Sequence, residues 1–423
     1  MKRRIIIIGL DGVPYELIKD LSEKGIMPNA AKLIKEGIFR KMQSSIPEVS
    51  CVAWSSIITG KNPAEHGIFG FTDLLPNSYK LRFPDFNDLR SKPFWETLPA
   101  KSAIINVPGT YPVRMMNGVH ISGFVSIDME KSVYPKALIP VLKSMDYRLD
   151  ADFEKAHKSM DLFLEDLDKV LLGRIRAYEY LWEKIDWEMF MFVFTETDRL
   201  MHFLWDAYED ANHKYHQDFL KCFRKIDEVI GDILSKMKEG DSLVMLSDHG
   251  FEKLEYDVYI NYLLKEKGVL SLGPDEDVGL ENIDSSAKAF ALDPARIYVN
   301  TSVRFPHGSI DEQDKEKVLR DLEALFTSLT ISGGKVIKNI YRKEQIYSGS
   351  YLDAAPDLIL LGNKGFNLRA NLKAQGITGK GIFTGKHTQD NGFLILANTR
   401  GEIDIPEYPS VYDFTDIVAG LNN

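Results

Sequence analysis

The chain has 423 residues, of which 44% are hydrophobic and 27% charged, so it can bury a large core and form two or three domain-sized units. Its 52 basic and 62 acidic residues give a formal net charge of −10, which argues against nucleic acid as the main partner. Cys51 and Cys222 are too few for a disulfide framework, so we expect a reducing compartment, the cytoplasm. The apolar run at residues 5–10 is too short for a secretion signal or a transmembrane segment.

The isoleucine run at residues 5–8 predicts the first strand, and a helix is predicted over residues 15–24. Asp11 follows this strand directly. A β-branched run of this kind is typical of a buried parallel strand, and open α/β sheets bind ligands at the carboxyl ends of such strands. Asp11 is therefore a candidate site residue. The alternative is that its side chain does no more than cap the next helix.

The stretch from residue 44 to 71 is the centre of the functional prediction. Residues 52–58 are apolar enough for a buried helix, which Thr59 and Gly60 end. Ser50 then lies at or just before the helix N-terminus, where unpaired N–H groups and the helix dipole favour an anion. The simpler alternative is that the Ser50 hydroxyl is an N-cap.

Strands and helices alternate along the rest of the chain. This pattern predicts an α/β fold with a mostly parallel central sheet and helices on both faces. The sequence predicts strands at residues 103–107, 118–125, 189–194, 242–246, 358–361 and 393–397, and helices at 136–145, 155–185, 210–238 and 311–329. We expect residues 1–261 and 351–423 to form the catalytic domain, with residues 262–350 as a smaller inserted cap.

Acidic and imidazole side chains follow several of the predicted strands: Asp11, Asp198 with His202, Asp248 with His249, and His387. Asp198 and His202 are four residues apart, so they share one face of a helix. Asp248 and His249 can converge only if the strand has ended, which Gly250 permits. Mixed Asp and His ligands suit zinc or manganese better than calcium.

The charges favour two ions at this site. Three carboxylates and a Ser50 alkoxide would balance two divalent cations, and the neutral site could accept a phosphoryl dianion. Ions about 4 Å apart would lower the pKa of the Ser50 hydroxyl and stabilise the oxygens of an in-line displacement. The remaining histidines are expected to be packed or surface residues: His66, His120, His157, His213, His216 and His307.

The order of these motifs resembles the alkaline phosphatase superfamily. The motifs are Asp11, Ser50 before a helix ending in TGxxPxxHGI, then TDRLMH, SDHG and GKH. The branch it resembles is the type I phosphodiesterase/nucleotide pyrophosphatase-like group of phosphohydrolases and phosphomutases. The resemblance runs from IIIIGLDG to VYDFTDIVAGL and implies the α/β sandwich of that superfamily.

The resemblance also implies roles for individual residues. One metal ion would be held by Asp198, His202 and His387. The second ion would be held by Asp11, Asp248 and His249. Ser50 would be the nucleophile, close to both ions.

Some positions differ from relatives in the superfamily. Many phosphodiesterases have threonine where this chain has Ser50, which keeps the hydroxyl. The segment from Ser50 to Trp54 lacks the Pro and Arg of the sulfatase motif, and we expect Cys51 to be a small buried residue. Phe71 stands where nucleotide pyrophosphatases place a phosphoryl-binding asparagine, which argues against that activity. Candidates for a substrate-binding arginine are Arg82, Arg90 and Arg114.

The sequence thus predicts a metal-dependent phosphohydrolase, a phosphodiesterase or phosphomonoesterase, that works through a phosphoserine intermediate at Ser50. The expected cofactors are two divalent metal ions, zinc or alternatively manganese, and the expected partner is a small phosphorylated substrate. One alternative is a phosphomutase, in which a substrate hydroxyl takes the phosphoryl group. Another is a non-catalytic metal-binding protein with residues 262–350 as a partner surface. The sequence leaves the substrate and the oligomeric state open.

Overall fold

The computed structural model describes residues 3–273, 279–398 and 404–422. The chain divides into two compact units. The first comprises Met1–Lys61, Asp85–Glu252 and His387–Asn423, and the second comprises Asn62–Pro84 and Lys253–Lys386. The second unit therefore includes more of the chain than the insertion expected at residues 262–350. Its role as a cap stays a prediction.

The first unit is built on an eight-stranded sheet. From one edge to the other, the strands are Ile38–Met42, Gly392–Ala397, Ser242–Leu246, Ile5–Leu10, Met189–Phe194, Ser102–Val107, Gly118–Ser122 and Val133–Tyr134. The five strands from Ser242–Leu246 to Gly118–Ser122 are parallel to one another. The two strands at one edge and the single strand at the other pair antiparallel. The expected mostly parallel α/β sheet is confirmed.

The inner strands are buried along their whole length, which explains their continuous apolar sequences. Every residue of Ile5–Leu10 and Met189–Phe194 is buried. Strands covered on both faces carry such runs instead of alternating polar residues. The α-helices of the first unit are Tyr15–Glu23, Pro28–Glu36, Ser50–Thr59, Phe94–Thr97, Met129–Ser132, Ile139–Ser144, Glu154–Lys158, Met160–Lys184, Glu196–Glu209, His216–Lys236 and Phe414–Asn422.

The second unit has a separate hydrophobic core. Its four-stranded antiparallel sheet has the order Ala289–Leu292, Arg296–Val299, Leu358–Gly362 and Ile337–Arg342. A three-stranded sheet has the order Phe366–Arg369, Tyr256–Tyr259 and Thr378–Gly379. Helix Glu312–Thr327 buries Leu322 and Phe326 in the same core as Phe290 and Tyr298.

The described chain also contains shorter α-helices and strands. The helices are Pro63–His66, Ile260–Glu266 and Lys343–Ile346, and the strands are Asp73–Leu74, Leu81–Arg82, Gly250–Lys253, Thr330–Ile331, Gly334–Lys335 and Gly385–Thr388. Among the residues that the structure describes, no helix is both long enough and apolar enough to cross a bilayer.

Candidate metal centre and active site

Three neighbouring parallel strands of the first unit place acidic residues at the same edge of the sheet. Strand Ile5–Leu10 lies between Ser242–Leu246 and Met189–Phe194, and Asp11, Asp248 and Asp198 follow these strands. The Asp11 N–H bonds to Phe194 O over 3.0 Å, continuing the strand pairing by one residue. Parallel strands bring their carboxyl ends together, so carboxylates that are distant in sequence converge here.

Ser50 is the first residue of helix Ser50–Thr59, and all ten residues of this helix are buried. The preceding Val49 is the N-cap and has no side-chain cap bond, so the Ser50 hydroxyl is not used as a cap. Its Oγ lies 3.4 Å from Asp11 Oδ1 and 3.2 Å from His249 Nε2. The hydroxyl is therefore directed into the acidic cluster.

His387 and His202 meet at the other carboxylate, Asp198. His387 Nε2 lies 3.0 Å from Asp198 Oδ1 and 2.9 Å from His202 Nε2. His202 Nε2 lies 3.5 Å from the same Asp198 oxygen, as expected for residues four apart on helix Glu196–Glu209. The two imidazole nitrogens face each other closely, an arrangement that a shared proton or a bound cation would stabilise.

His249 lies between the two groups of residues. Its Nε2 is 3.6 Å from Asp11 Oδ1, 3.4 Å from Asp248 Oδ2 and 4.0 Å from Asp198 Oδ1. Its ring stacks on that of His387, with centroids 3.7 Å apart. The cluster is thus continuous, and the side chains of His202 and His387, which are 20% and 16% exposed, form its solvent-accessible side.

The donor atoms fit metal ions. Two groups have ligand atoms within 4.8 Å of one another, Asp198 with His249 and His387, and Asp11 with Asp248 and His249. Nδ1 of His387 lies 2.9 Å from Glu48 O and Nδ1 of His249 lies 3.1 Å from Gly250 O. A proton on each Nδ1 would leave both Nε2 lone pairs directed at the cluster, the usual arrangement of ligating histidines.

Asp248 gives a further sign of a cation site. Its Oδ1 accepts the Gly12 N–H over 3.0 Å, but its buried Oδ2 has no hydrogen-bond partner among the described residues. Buried polar atoms are normally satisfied, so an unpartnered carboxylate oxygen beside other ligand atoms fits a metal ion.

The electrostatics of the cluster follow from burial and from the close carboxylates. Burial raises the pKa of Asp248 to about 8, and the charge of Asp198 adds to the increase. Burial, with the charges of Asp248 and Asp198, also raises the pKa of Asp11 well above its ordinary value. Burial lowers the pKa of His249 to about 4, which keeps its imidazole neutral. Metal ions bind neutral imidazoles and ionised carboxylates, so a cation bound here would displace the protons held by Asp11 and Asp248.

Asp198 differs from the other two carboxylates. Burial alone would raise its pKa, but His202, His387 and Arg199 together hold the pKa of Asp198 below its ordinary value. Arg199 Nη1 donates to Asp198 Oδ2 over 3.0 Å. Asp198 is therefore an ionised carboxylate beside two carboxyl groups, Asp11 and Asp248, that hold their protons more tightly.

The structure brings all the residues expected at the site together: Asp11, Ser50, Asp198, His202, Asp248, His249 and His387. His249 belongs to both groups of residues whose donor atoms converge, and His202 lies beside the first group, 2.9 Å from His387 Nε2. Their roles as ligands and nucleophile stay predictions.

Other candidates lie in different surroundings. Arg82, Arg90 and Arg114 form ion pairs with Asp73, Asp88 and Glu96. Cys51 is buried. His66 and His120 are also buried, and burial lowers the pKa of each to about 3.

Two residues at the site were not identified from sequence. Trp54 Nε1 donates to Asp11 Oδ2 over 3.3 Å, and Arg199 contacts Asp198. Trp54 lies one turn after Ser50 and Arg199 is adjacent to Asp198, so proximity to predicted site residues was the available signal.

Several solved structures share the fold of this chain. Phosphonoacetate hydrolase from Sinorhizobium meliloti 1021, in complex with phosphonoformate, aligns over 99% of this chain and 96% of its own, with a TM-score of 0.65 and 14% identity. An inactive variant of murine ectonucleotide pyrophosphatase/phosphodiesterase 5 with AMP aligns over 100% and 95%, with a TM-score of 0.57 and 14% identity. The human ectonucleotide pyrophosphatase/phosphodiesterase 5 covers 99% and 95%, with a TM-score of 0.55 and 13% identity.

Sequence comparison gives the family. No curated protein sequence matches the chain. Residues 5–390, however, match the type I phosphodiesterase/nucleotide pyrophosphatase family. This match covers nearly the whole chain and confirms the resemblance found in the motifs. The chain belongs to the type I phosphodiesterase/nucleotide pyrophosphatase family of the alkaline phosphatase superfamily, and is a hydrolase of phosphoric ester bonds.

Proposed function

We propose that this protein is a two-metal phosphodiesterase or phosphomonoesterase that uses Ser50 as its nucleophile. The proposed cofactors are two zinc ions, with manganese as the alternative. One ion would be held by Asp198, His202 and His387, and the other by Asp11, Asp248 and His249. The observation that carries the proposal is the position of Ser50 Oγ, 3.2 Å from His249 Nε2 and 3.4 Å from Asp11 Oδ1.

The chemistry follows from this position. Bound divalent cations supply positive charge for the phosphoryl oxygens and lower the pKa of a nearby hydroxyl. Ser50 Oγ attacks phosphorus, the bond to the leaving oxygen breaks, and the alcohol leaves with a proton. The phosphoryl group is then esterified to Ser50. Attack by water on the same phosphorus breaks the Ser50 ester, releases the product and restores the hydroxyl.

The surroundings of Ser50 support both steps. The positive end of helix Ser50–Thr59 favours an anion beside its first residue. Ser50 is 5% exposed and Asp11 is 2% exposed, so water is largely displaced around the nucleophile. In these surroundings the charges of fixed groups act more strongly than they would in water.

We propose a small diester or an activated phosphate as the substrate. The helix that follows Ser50 is apolar, and the arginines considered for monoester binding, Arg82, Arg90 and Arg114, pair with acidic side chains instead. The proposed location is the cytoplasm, since both cysteines are free thiols.

The proposal is tested with bis-p-nitrophenyl phosphate and p-nitrophenyl phosphate as substrates, with zinc or manganese added. We expect metal-dependent turnover that Ser50→Ala and Asp248→Asn each lower by about 10³-fold or more. Ser55→Ala is the matched control, because Ser55 lies on the same helix but its Oγ donates to Cys51 O. The ratio of diester to monoester turnover identifies the substrate class.

Two results would contradict the proposal. Full turnover by Ser50→Ala would exclude Ser50 as the nucleophile. Two bound metal ions without turnover of either substrate would favour a selective phosphomutase or a non-catalytic metal-binding protein. A mutase would reveal itself by phosphorylating an added alcohol in preference to water.

A further inference from the structure

Arg199 is held on every side by its neighbours. Its guanidinium carbon lies 3.9 Å from the centroid of the Phe124 ring and 4.4 Å from that of Phe153. In the plane of the guanidinium, Nη2 donates to Asp150 Oδ2 over 3.0 Å and Nε lies 3.5 Å from Asp150 Oδ1. Nη1 donates to Asp198 Oδ2 over 3.0 Å. The side chain is 9% exposed.

These contacts leave Arg199 little freedom to bind a substrate. The guanidinium contacts two aromatic rings, and each of its three nitrogens faces a carboxylate oxygen. Both Asp150 and Asp198 form ion pairs with it. An arginine that binds a phosphoryl group needs a free fork of N–H donors. Arg199 therefore acts through Asp198.

Arg199 determines which oxygen of Asp198 faces the histidines. With Oδ2 bound to Nη1, the other oxygen, Oδ1, lies 3.0 Å from His387 Nε2 and 3.5 Å from His202 Nε2. A carboxylate fixed by such a bond presents one oxygen in one orientation. Loss of a partner of this kind commonly costs 10- to 100-fold in metal affinity.

The positive charge of Arg199 does not change the charge balance between the site carboxylates and the two proposed cations. Asp150, whose side chain is 17% exposed, pairs with Arg199 and compensates its positive charge. The pair of Arg199 and Asp150 is neutral as a unit, so three site carboxylates still face two divalent cations. The arginine thus orients Asp198 without replacing a metal ion.

We infer that Arg199 is a positioning residue that, anchored by Asp150 and by the Phe124 and Phe153 rings, selects Asp198 Oδ1 as a ligand of one of the two ions. The inference rests on the proposed function. It predicts an effect on one ion only, because the Arg199 bond is to Asp198 and not to Asp11 or Asp248.

The test measures the zinc affinity of each site separately, by competition with a chelator. The Asp248→Asn variant retains the ion held by Asp198, His202 and His387, and the His202→Ala variant retains the other ion. Arg199→Lys is added to each of these backgrounds, since lysine keeps the charge but loses the planar fork. We expect a 10- to 100-fold loss of zinc affinity in the Asp248→Asn background and less than a 3-fold change in the His202→Ala background.

Controls separate positioning from general stability. Arg148→Lys is the matched control, because Arg148 pairs with the buried carboxylate of Asp166 on another helix. It should leave zinc affinity unchanged. Asp150→Asn, which removes the anchor and leaves Asp198 intact, should weaken the same ion as Arg199→Lys by about 3- to 10-fold.

The outcomes are distinct. If Arg199→Lys leaves zinc affinity unchanged in both backgrounds, or lowers it equally in both, the inference is wrong while the proposed function stands. A thermal destabilisation of the metal-free protein without a site-selective loss of zinc would likewise show a structural role only. If the wild-type protein itself binds no zinc or manganese, the proposed function fails and the inference fails with it.

Discussion

Trp54 connects the helix of Ser50 to the first carboxylate. Its indole is fully buried, and Nε1 donates to Asp11 Oδ2 over 3.3 Å. Asp11 Oδ1 remains directed at Ser50 and His249. The indole thus fixes one carboxylate oxygen and leaves the other for a ligand, as Arg199 does for Asp198.

Replacing Trp54 with phenylalanine tests this contact. Trp54→Phe keeps much of the apolar volume but removes the donor, so we expect about a 10-fold loss of affinity for the ion held by Asp11, Asp248 and His249. Zinc affinity is measured by chelator competition. The control is Trp95→Phe, since Trp95 is buried against Phe94 and His120. Equal affinities in the two variants would exclude a role for Trp54.

Asp248 should release a proton when metal binds. Burial raises its pKa to about 8, so at pH 7 the metal-free protein holds a proton on this carboxyl. A cation must displace that proton in order to bind the carboxylate. We expect zinc uptake at pH 7 to release more protons from the wild type than from Asp248→Asn, as measured with an indicator dye in weak buffer. Equal release would show that Asp248 is ionised before metal binds.

The same group makes the metal-free protein pH-sensitive. The pKa of Asp248 in the folded chain, about 8, lies above its ordinary value of 3.8. Its contribution to the free energy of unfolding is therefore fully present below about pH 4 and is lost as the pH rises towards 8. Urea unfolding of the metal-free protein should show a smaller decline over this range in Asp248→Asn. If the free energy of unfolding declines equally in the wild type and in Asp248→Asn, other groups cause the pH dependence.

At the scale of elements, the site depends on close packing between strand Ile5–Leu10 and helix Ser50–Thr59. A Cβ atom on Gly9 would lie 2.6 Å from Trp54 Cη2 and 2.9 Å from Val193 Cγ2. Only glycine therefore lets the Trp54 indole cross the strand and reach Asp11. This packing therefore requires Gly9, the first glycine of the GLDG motif.

A double-mutant cycle tests the packing. Gly9→Ala should lower the free energy of unfolding by about 1–3 kcal/mol, because the added methyl group overlaps Trp54 and Val193. Trp54→Phe removes Cη2, so the double variant should be less destabilised than the sum of the two single changes. Gly381→Ala, at a position with no atom within 4 Å of the new Cβ, should change stability by less than about 0.5 kcal/mol. If the two changes in the free energy of unfolding simply add in the double variant, Gly9 and Trp54 are not in close contact.

Element boundaries were harder to predict than the elements themselves. The helix expected at residues 210–238 is His216–Lys236, because Asp210 ends the preceding helix and its Oδ1 accepts the Asn212 N–H. Such local bonds from an aspartate side chain compete with helix formation. The helical region at 155–185 is divided at Ser159 into Glu154–Lys158 and Met160–Lys184.

At the scale of the molecule, the sequence indicated the central sheet and the position of the acidic residues after its strands. The apolar runs that precede Asp11, Asp198 and Asp248 were sufficient for this. The contacts of Arg199 could not be inferred, because Asp150 and Phe124 are 49 and 75 residues away in the chain (199 − 150 and 199 − 124) and only the fold brings them close.

The boundaries of the two units could not be inferred from the sequence either. Asn62–Pro84 belongs to a unit whose other residues begin at Lys253. It is held there by long-range bonds, such as Arg296 Nη2 to Thr72 O over 2.8 Å and the Tyr79 hydroxyl to Asn300 Oδ1 over 2.6 Å. The local sequence of residues 62–84 does not predict contacts with residues more than two hundred positions away. The sequence pattern alone therefore does not show that residues 62–84 belong to the second unit.

The central claim is that phosphoryl transfer passes through Ser50, and the stereochemical course at phosphorus tests it most directly. The substrate is one enantiomer of an aryl methyl phosphorothioate diester, hydrolysed in oxygen-18 water with zinc or manganese present. Each in-line displacement inverts phosphorus, so attack by Ser50 followed by attack by water predicts overall retention. Inversion would mean a single direct attack by water and would contradict a covalent intermediate on Ser50.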